Sequence, residues 1–109
     1  MNKKNILKFL KEKLLKLKPA EVILFGSAIT DNFQEKSDID IVVVLNKRGF
    51  SKNYREVIKN KSVISNELSE LRKEIPIDLL VYTIDEWNHL KESGSCFFNE
   101  IREKGLKLI

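Results

Sequence analysis

Three aspartates and one small-residue turn are the residues of this chain whose types and spacing suit chemistry. Gly26-Ser27 is followed, after ten residues, by Asp38-Ile39-Asp40, and Asp78 interrupts a later apolar run. Because side chains alternate across a strand, Asp38 and Asp40 share one face. Converging carboxylates repel one another unless a cation lies between them. The aspartates therefore predict a site for a divalent metal.

Magnesium is the metal that these ligands favour. Proteins hold Mg2+ through one or two carboxylates together with substrate phosphate, and in two-metal sites the ions lie roughly 3.5 to 4 Å apart across an in-line displacement. Asp38 and Asp40 are expected to bind metal beside the phosphates, and Asp78 to hold the metal on the nucleophile's side. Gly26 permits close approach of backbone to phosphate, and Ser27 adds a hydroxyl donor. The predicted chemistry is phosphoryl transfer.

Each piece also has a structural interpretation. An Asp pair at the start of a strand occurs as a turn or cap, and Gly-Ser is common in loops. Asp78 lies in the apolar run 75–82, where we expect it to face a buried layer, and an unpaired charge there is costly. A salt bridge to a lysine or to Arg72 is the alternative to a metal. The occurrence of the Gly-Ser turn, the Asp pair and Asp78 together favours the metal-site interpretation.

The Gly-Ser turn, the ten-residue gap, Asp-x-Asp and the later Asp resemble the nucleotidyltransferases of the DNA polymerase β superfamily. The short chain is similar to the minimal nucleotidyltransferase branch, and the resemblance runs from Val22 to the C-terminus, where Phe97-Phe98-x-x-Ile101 and Gly105-Leu106 look like that branch's closing helix. It implies an α/β fold, with a small mixed β-sheet flanked by helices, and two Mg2+ ions. It also implies transfer of a nucleoside monophosphate, AMP from ATP, to a hydroxyl.

The resemblance assigns roles to individual residues. It makes Asp38, Asp40 and Asp78 the catalytic metal ligands, and Gly26 with Ser27 the nucleotide-binding turn. The family continues Gly-Ser with Ala, Arg and Gly, whereas this chain reads Ala28-Ile29-Thr30-Asp31 and lacks the arginine. Arg contacts phosphate bidentately, which Lys does not. The candidates to replace it are Lys36, Lys47, Arg48 and Lys52.

The resemblance also implies a protein partner. Bacterial and archaeal members of the minimal branch are often antitoxins paired with a HEPN-domain toxin, and some adenylylate a tyrosine of that partner. Two other functions stay open. One is an inactive binding module of the same fold that masks a toxin. The other is an RNA-directed transferase that binds RNA through its basic N-terminal helix.

Length and charge set further bounds. The chain of 109 residues predicts one domain, 1–109, without room for a separate acceptor-binding domain, so the acceptor surface is expected from a partner protein or a second copy of the chain. The net charge is +4, and residues 1 to 18 hold seven lysines and one acid, Glu12. No apolar segment predicts a signal peptide or membrane span, and we expect a cytoplasmic protein. One cysteine and one histidine exclude an internal disulfide and a structural zinc site.

Apolar periodicity places the elements around these residues. It predicts helices over about 3–17, 52–72 and 96–104 and from about 84, and strands over 21–25, 38–45 and from Pro76. Thr83 and Glu86 have the spacing of a capping box. We expect Cys96 to be buried and His89 to lie at or near the surface. The side chains expected to be buried are Ile6, Leu10, Leu14 and Leu17 in the first helix, and Tyr54, Val57, Ile58, Ile64, Leu68 and Leu71 in the second.

Overall fold

The fold is a small mixed β-sheet flanked by helices, as predicted. The computed structural model describes residues 3–25, 39–94 and 96–109. The sheet has four strands in the order β3-β2-β1-β4, and β2 pairs antiparallel with β1 and parallel with β3. The elements are α1 (Lys3–Leu15), β1 (Glu21–Phe25), β2 (Ile39–Leu45), α2 (Tyr54–Glu67), α3 (Ser69–Glu74), β3 (Ile77–Thr83), α4 (Ile84–Ser93), α5 (Cys96–Lys104) and β4 (Leu106–Lys107).

The central strand β2 is buried on both faces. Ile41 and Val43 belong to the core formed with α1, α2 and α3, whereas Val42 and Val44 pack in a second core with Trp87 of α4 and with α5. A strand covered on both faces has a continuous apolar sequence instead of an alternating one. The run of four buried apolar residues, 41–44, explains why β2 is a central strand with helices packed on both faces.

The first helix and the start of α4 form as the sequence predicts. Ile6, Leu10 and Leu14 are buried along one stripe of α1, and Leu17 packs partly buried against the same core. The Thr83 hydroxyl accepts a hydrogen bond from the Glu86 amide, and the Glu86 carboxylate accepts one from the Thr83 amide. This capping box satisfies two donors at the start of α4.

The predicted helix over 52–72 is wrong in extent and in part of its buried face. The structure has two helices, because α2 ends at Glu67 and α3 begins at Ser69. The three residues Ile64, Leu68 and Leu71 are buried as expected, whereas Tyr54, Val57 and Ile58 are exposed. The buried residues of α2 are Asn60 and Ile64, so only its second half packs against the core.

Two other features differ from the expectations. The strand β4 pairs antiparallel with β1, with Leu106 opposite Leu24, and a strand of two residues has no periodicity to detect. Cys96, expected to be buried, is exposed at the start of α5, while His89 is exposed as anticipated. Among the described residues no helix is long and apolar enough to cross a membrane.

Candidate active site

Asp40 and Asp78 lie side by side on neighbouring strands. They are register partners in the parallel pair of β2 and β3, and Phe25 of β1 is the antiparallel partner of Asp40. Register partners in adjacent strands point to the same face, with strands about 4.8 Å apart. Phe25, Asp40 and Asp78 therefore form one row across the sheet, and the two carboxylates share a face.

The row lies at one end of its sheet face, beside the second core. The rows behind it hold Ile23, Val42 and Leu80, which pack with Trp87 and Phe98. Asp40 is half-buried and Asp78 is exposed. The acids thus lie at the rim, with apolar side chains directly behind them.

The positions of both strands follow from local sequence. Pro76 precedes β3, where its missing N–H costs no ladder bond, and its carbonyl accepts a hydrogen bond of 3.0 Å from the Ile39 amide. This bond joins the beginnings of β2 and β3, so that the second residue of each strand is an aspartate. Parallel pairing therefore aligns two acids that are far apart in the chain.

The predicted residues Gly26, Ser27 and Asp38 lie outside the described residues, as does Lys36. The chain leaves β1 at Phe25, the residue before Gly26, and enters β2 at Ile39, the residue after Asp38. Both of these flanking positions are at the acidic end of the sheet.

A cleft of about 410 Å³ opens at this row of residues. Asp40 and Asp78 line it together with Phe25, apolar residues of β3, Lys61 of α2 and Arg72 of α3. Its volume is in the range typical of ligand sites. A second cavity of about 290 Å³ lies between β1, α4 and α5, and its lining includes one acid, Glu21. The larger cleft is therefore the candidate active site.

The burial expected for Asp78 is wrong, and the salt bridge considered as the alternative to a metal is absent among the described residues. Its side chain is exposed because β3 is the edge strand. None of the ion pairs among the described residues includes Asp78, and Arg72 donates from Nη1 to the Ser65 hydroxyl. Burial therefore does not distinguish a metal-binding role for Asp78. Its register with Asp40 is the relevant observation.

Lys61 and Arg72 are the cationic residues of the cleft, and sequence reasoning did not identify Lys61. The only available signal was its position on α2, which becomes informative once α2 is placed over β3. Neither Lys61 nor Arg72 takes part in an ion pair among the described residues.

Three of the residues suggested as replacements for the family's arginine lie elsewhere. Lys47, Arg48 and Lys52 follow the far end of β2, and the strand alone separates Asp40 from Leu45 by about 16 Å. Lys47 pairs with Glu56 at 3.3 Å, and Arg48 pairs with Asp85 at 3.4 Å. All three therefore lie at the opposite end of the sheet from the acids.

At that opposite end, hydrogen bonds also lower the pKa of Glu56. The Lys52 backbone amide has the largest effect, followed by the Lys47 side chain, and both favour the charged carboxylate. The same carboxylate lies at the start of α2, where Asn53 accepts a hydrogen bond from the Glu56 amide at 2.9 Å. This cluster is a helix cap, and it explains the charge of this loop without a ligand.

The arrangement can hold a divalent cation. Two carboxylates on adjacent strands supply oxygen ligands on one face, and Mg2+ requires such ligands. Within the described residues, no group of three His, Cys, Asp or Glu side chains could hold a metal. Asp40 and Asp78 could supply two ligands, and a complete set would need others, from substrate phosphate or from residues beyond the described ranges.

The comparison with protein families agrees with this geometry. The family model described as nucleotidyltransferase domain matches residues 3–103, nearly the whole chain of 109 residues. A search of curated proteins found no relative. On the strength of the family match, which includes both strands that carry the acids, the chain belongs to the nucleotidyltransferase domain family, whose chemistry is nucleotidyl transfer.

Proposed function

We propose that this chain is a Mg2+-dependent nucleotidyltransferase that moves a nucleoside monophosphate, AMP from ATP, onto a hydroxyl of a partner protein. The observation that carries the proposal is the register of Asp40 with Asp78 at the rim of a cleft. Two carboxylates on adjacent strands repel each other unless a cation lies between them. A bound metal ion would offset this repulsion and so accounts for the alignment of Asp40 with Asp78.

Asp38, Asp40 and Asp78 are the proposed ligands of two Mg2+ ions. When bound, the metals neutralise phosphate charge and lower the pKa of the acceptor hydroxyl. Asp38 and Asp40 lie on the side of the triphosphate, which Gly26 and Ser27 hold. Asp78, on the edge strand, faces the acceptor. The order of the strands supports this division, because β2 separates β3 from β1.

The proposed reaction is a single displacement at the α-phosphorus of ATP. The acceptor oxygen forms a bond to this phosphorus, the bond to the bridging oxygen of the β-phosphate breaks, and pyrophosphate leaves. The proton of the acceptor hydroxyl passes to the Asp78 carboxylate and then to water. Asp78 is therefore proposed to act both as a metal ligand and as the group nearest the acceptor's proton.

The proposed partner is a HEPN-type protein, with this chain as the antitoxin of a toxin-antitoxin pair. Support comes from the exposure of Asp78, which lines the cleft and is accessible to another protein. An acceptor protein would complete the site from outside. The exposed edge strand leaves the Asp78 side of the cleft open to such a protein.

Labelled ATP tests this function directly. The purified chain, incubated with a HEPN-domain protein and either Mg2+ or Mn2+, is expected to label the protein. Asp40→Asn and Asp78→Asn should abolish labelling. Asp85→Asn is the matched control, because Asp85 pairs with Arg48 at the opposite end of the sheet and should leave transfer intact. Circular dichroism checks that each variant is folded. Absence of metal-dependent transfer by the wild type would refute the proposal.

The missing arginine favours a second candidate, an inactive module that binds and masks a toxin. Ala28-Ile29-Thr30-Asp31 offers no guanidinium to the triphosphate. Calorimetry separates the two functions, since a module that only masks its partner should bind it equally well after Asp40→Asn and in the presence of chelator. An RNA-directed transferase would instead show RNA binding that weakens steeply with salt.

A further inference from the structure

A stripe of exposed residues runs along the first half of α2. Tyr54, Val57, Ile58 and Lys61 are spaced i, i+3, i+4 and i+7, which places them on one face of the helix. The three apolar members are 79%, 42% and 46% exposed. Apolar residues at this spacing ordinarily face a core, but here the core side of α2 is formed by Asn60 and Ile64. We call these four residues the α2 stripe.

The α2 stripe leads into the candidate active site. Lys61, at its C-terminal end, lines the cleft that holds Asp40 and Asp78. Ser65, one turn beyond Lys61, accepts a hydrogen bond from the guanidinium of Arg72, which lines the same cleft. Residues four apart on a helix are neighbours, about 5 to 6 Å between Cβ atoms. The bond to Ser65 therefore holds Arg72 close to Lys61.

These two cations lie on the acceptor side of the site. Asp78 is in the edge strand, and α2 packs against β3 from the face opposite the acids. Lys61 and Arg72 therefore reach the cleft from the side of β3, away from β1. A molecule that places a hydroxyl beside Asp78 would meet Lys61 and Arg72 next, and then the apolar part of the α2 stripe.

We infer that the acceptor is a protein segment with acidic residues next to its reactive hydroxyl and apolar residues farther along. The inference rests on the proposed function for the position of the hydroxyl at Asp78. The carboxylates of the acceptor segment pair with Lys61 and Arg72, and its apolar side chains cover Tyr54, Val57 and Ile58. Single-stranded nucleic acid binds through a basic groove with several stacked aromatic side chains, whereas the α2 stripe has one aromatic residue, Tyr54, and two aliphatic ones, Val57 and Ile58.

Peptide binding tests the inference independently of turnover. The probes are two fluorescein-labelled peptides, each with one tyrosine and the same apolar residues. Beside the tyrosine, the acidic peptide has aspartate and glutamate, and the neutral peptide has asparagine and glutamine. Fluorescence anisotropy at low salt measures the Kd of each. The acidic peptide is expected to bind the more tightly. An exposed ion pair contributes up to about 1 kcal/mol, so Lys61→Gln or Arg72→Gln should each raise its Kd by up to about fivefold.

Matched controls come from the same helices. Lys59→Gln and Lys73→Gln remove the same charge from exposed residues outside the cleft lining and should leave the Kd unchanged. Val57→Ser is expected to weaken both peptides, whereas Val63→Ser, at an exposed valine off the α2 stripe, should weaken neither. Equal binding of the two peptides, failure of both to bind, or equal losses in the control variants would overturn the inference.

Two further measurements separate this inference from the proposed function. The first is the binding of a single-stranded RNA oligonucleotide. If the RNA binds more tightly than the acidic peptide, and if Lys61→Gln weakens that binding, the inference that the acceptor is a protein segment is refuted. Transfer of label from ATP to the peptide tyrosine is measured separately. Selective peptide binding without any transfer would refute the transferase proposal and still support the acidic docking segment.

Discussion

Replacing Asp78 by asparagine is expected to stabilise the metal-free protein, although it should abolish transfer. The perturbation removes one of two carboxylates that are register partners in adjacent strands. Without a cation between them, the two negative charges repel each other in the folded chain and separate on unfolding. Asparagine keeps the size and shape of the side chain and removes that repulsion.

The spacing of the strands gives an upper bound on the magnitude, because the two carboxylates can turn away from each other. Two unit charges about 4.8 Å apart repel by about 0.9 kcal/mol in water and by about 3.5 kcal/mol at an effective dielectric constant of 20. Because Asp78 is exposed and Asp40 half-buried, the lower figure applies more closely. We expect Asp78→Asn to raise the free energy of unfolding by up to about 1 kcal/mol, which corresponds to a rise in Tm of up to about 4 to 8 °C in a domain of this size.

Magnesium should reverse the order of stability. At a concentration ten times its Kd, a ligand that binds only the folded state adds about 1.4 kcal/mol. The wild type gains this stability, whereas the variant, which lacks one ligand, gains less. Urea unfolding in chelator and in Mg2+ measures both effects, and the single tryptophan, Trp87, is a suitable fluorescence probe because it is buried.

The matched control for net charge is Glu92→Gln, at an exposed residue outside the cleft lining. It should change the free energy of unfolding by less than about 0.5 kcal/mol, with or without Mg2+. The reasoning fails if Asp78→Asn destabilises the chelated protein. It also fails if Mg2+ stabilises wild type and Asp78→Asn equally.

Three other predictions concern the fold. Gly105→Ala should destabilise the protein by about 1 to 3 kcal/mol in urea unfolding, because an added Cβ would lie 2.4 Å from the Ile101 carbonyl oxygen; an unchanged midpoint would contradict this contact. Burial raises the pKa of Tyr82 above its ordinary 10.0, so its contribution to stability is complete below pH 10 and is lost as the pH rises through the folded pKa. Alkaline unfolding of Tyr82→Phe, which cannot ionise at this position, should lack that loss. The pKa of Glu56 is lowered from 4.5, chiefly by the Lys52 amide, so its contribution is present above pH 4.5 and lost on acidification below it; Glu56→Gln should show a smaller acid-induced loss than wild type.

The sequence by itself indicated most of the helices and strands and the type of chemistry. Side-chain alternation predicted that Asp38 and Asp40 share one face, and the continuous apolar run of β2 is typical of a strand that is buried on both faces, as Val42 and Val43 are. The capping box at Thr83 and the buried apolar stripe of α1 were also predicted from the sequence. These features depend on neighbours within one or two turns or along one strand, and such short-range relations are present in the order of the residues.

Tertiary structure decided which distant residues meet. The register of Asp40 with Asp78, the entry of Lys61 and Arg72 into the cleft, and the exposure of Tyr54 depend on where β3 and α2 pack against β2. The periodicity of α2 suits a buried stripe at Tyr54, Val57 and Ile58, yet the core contacts its second half through Asn60 and Ile64. Periodicity shows which residues share a face, but the burial of that face is determined by the total area that the packed layers remove from water.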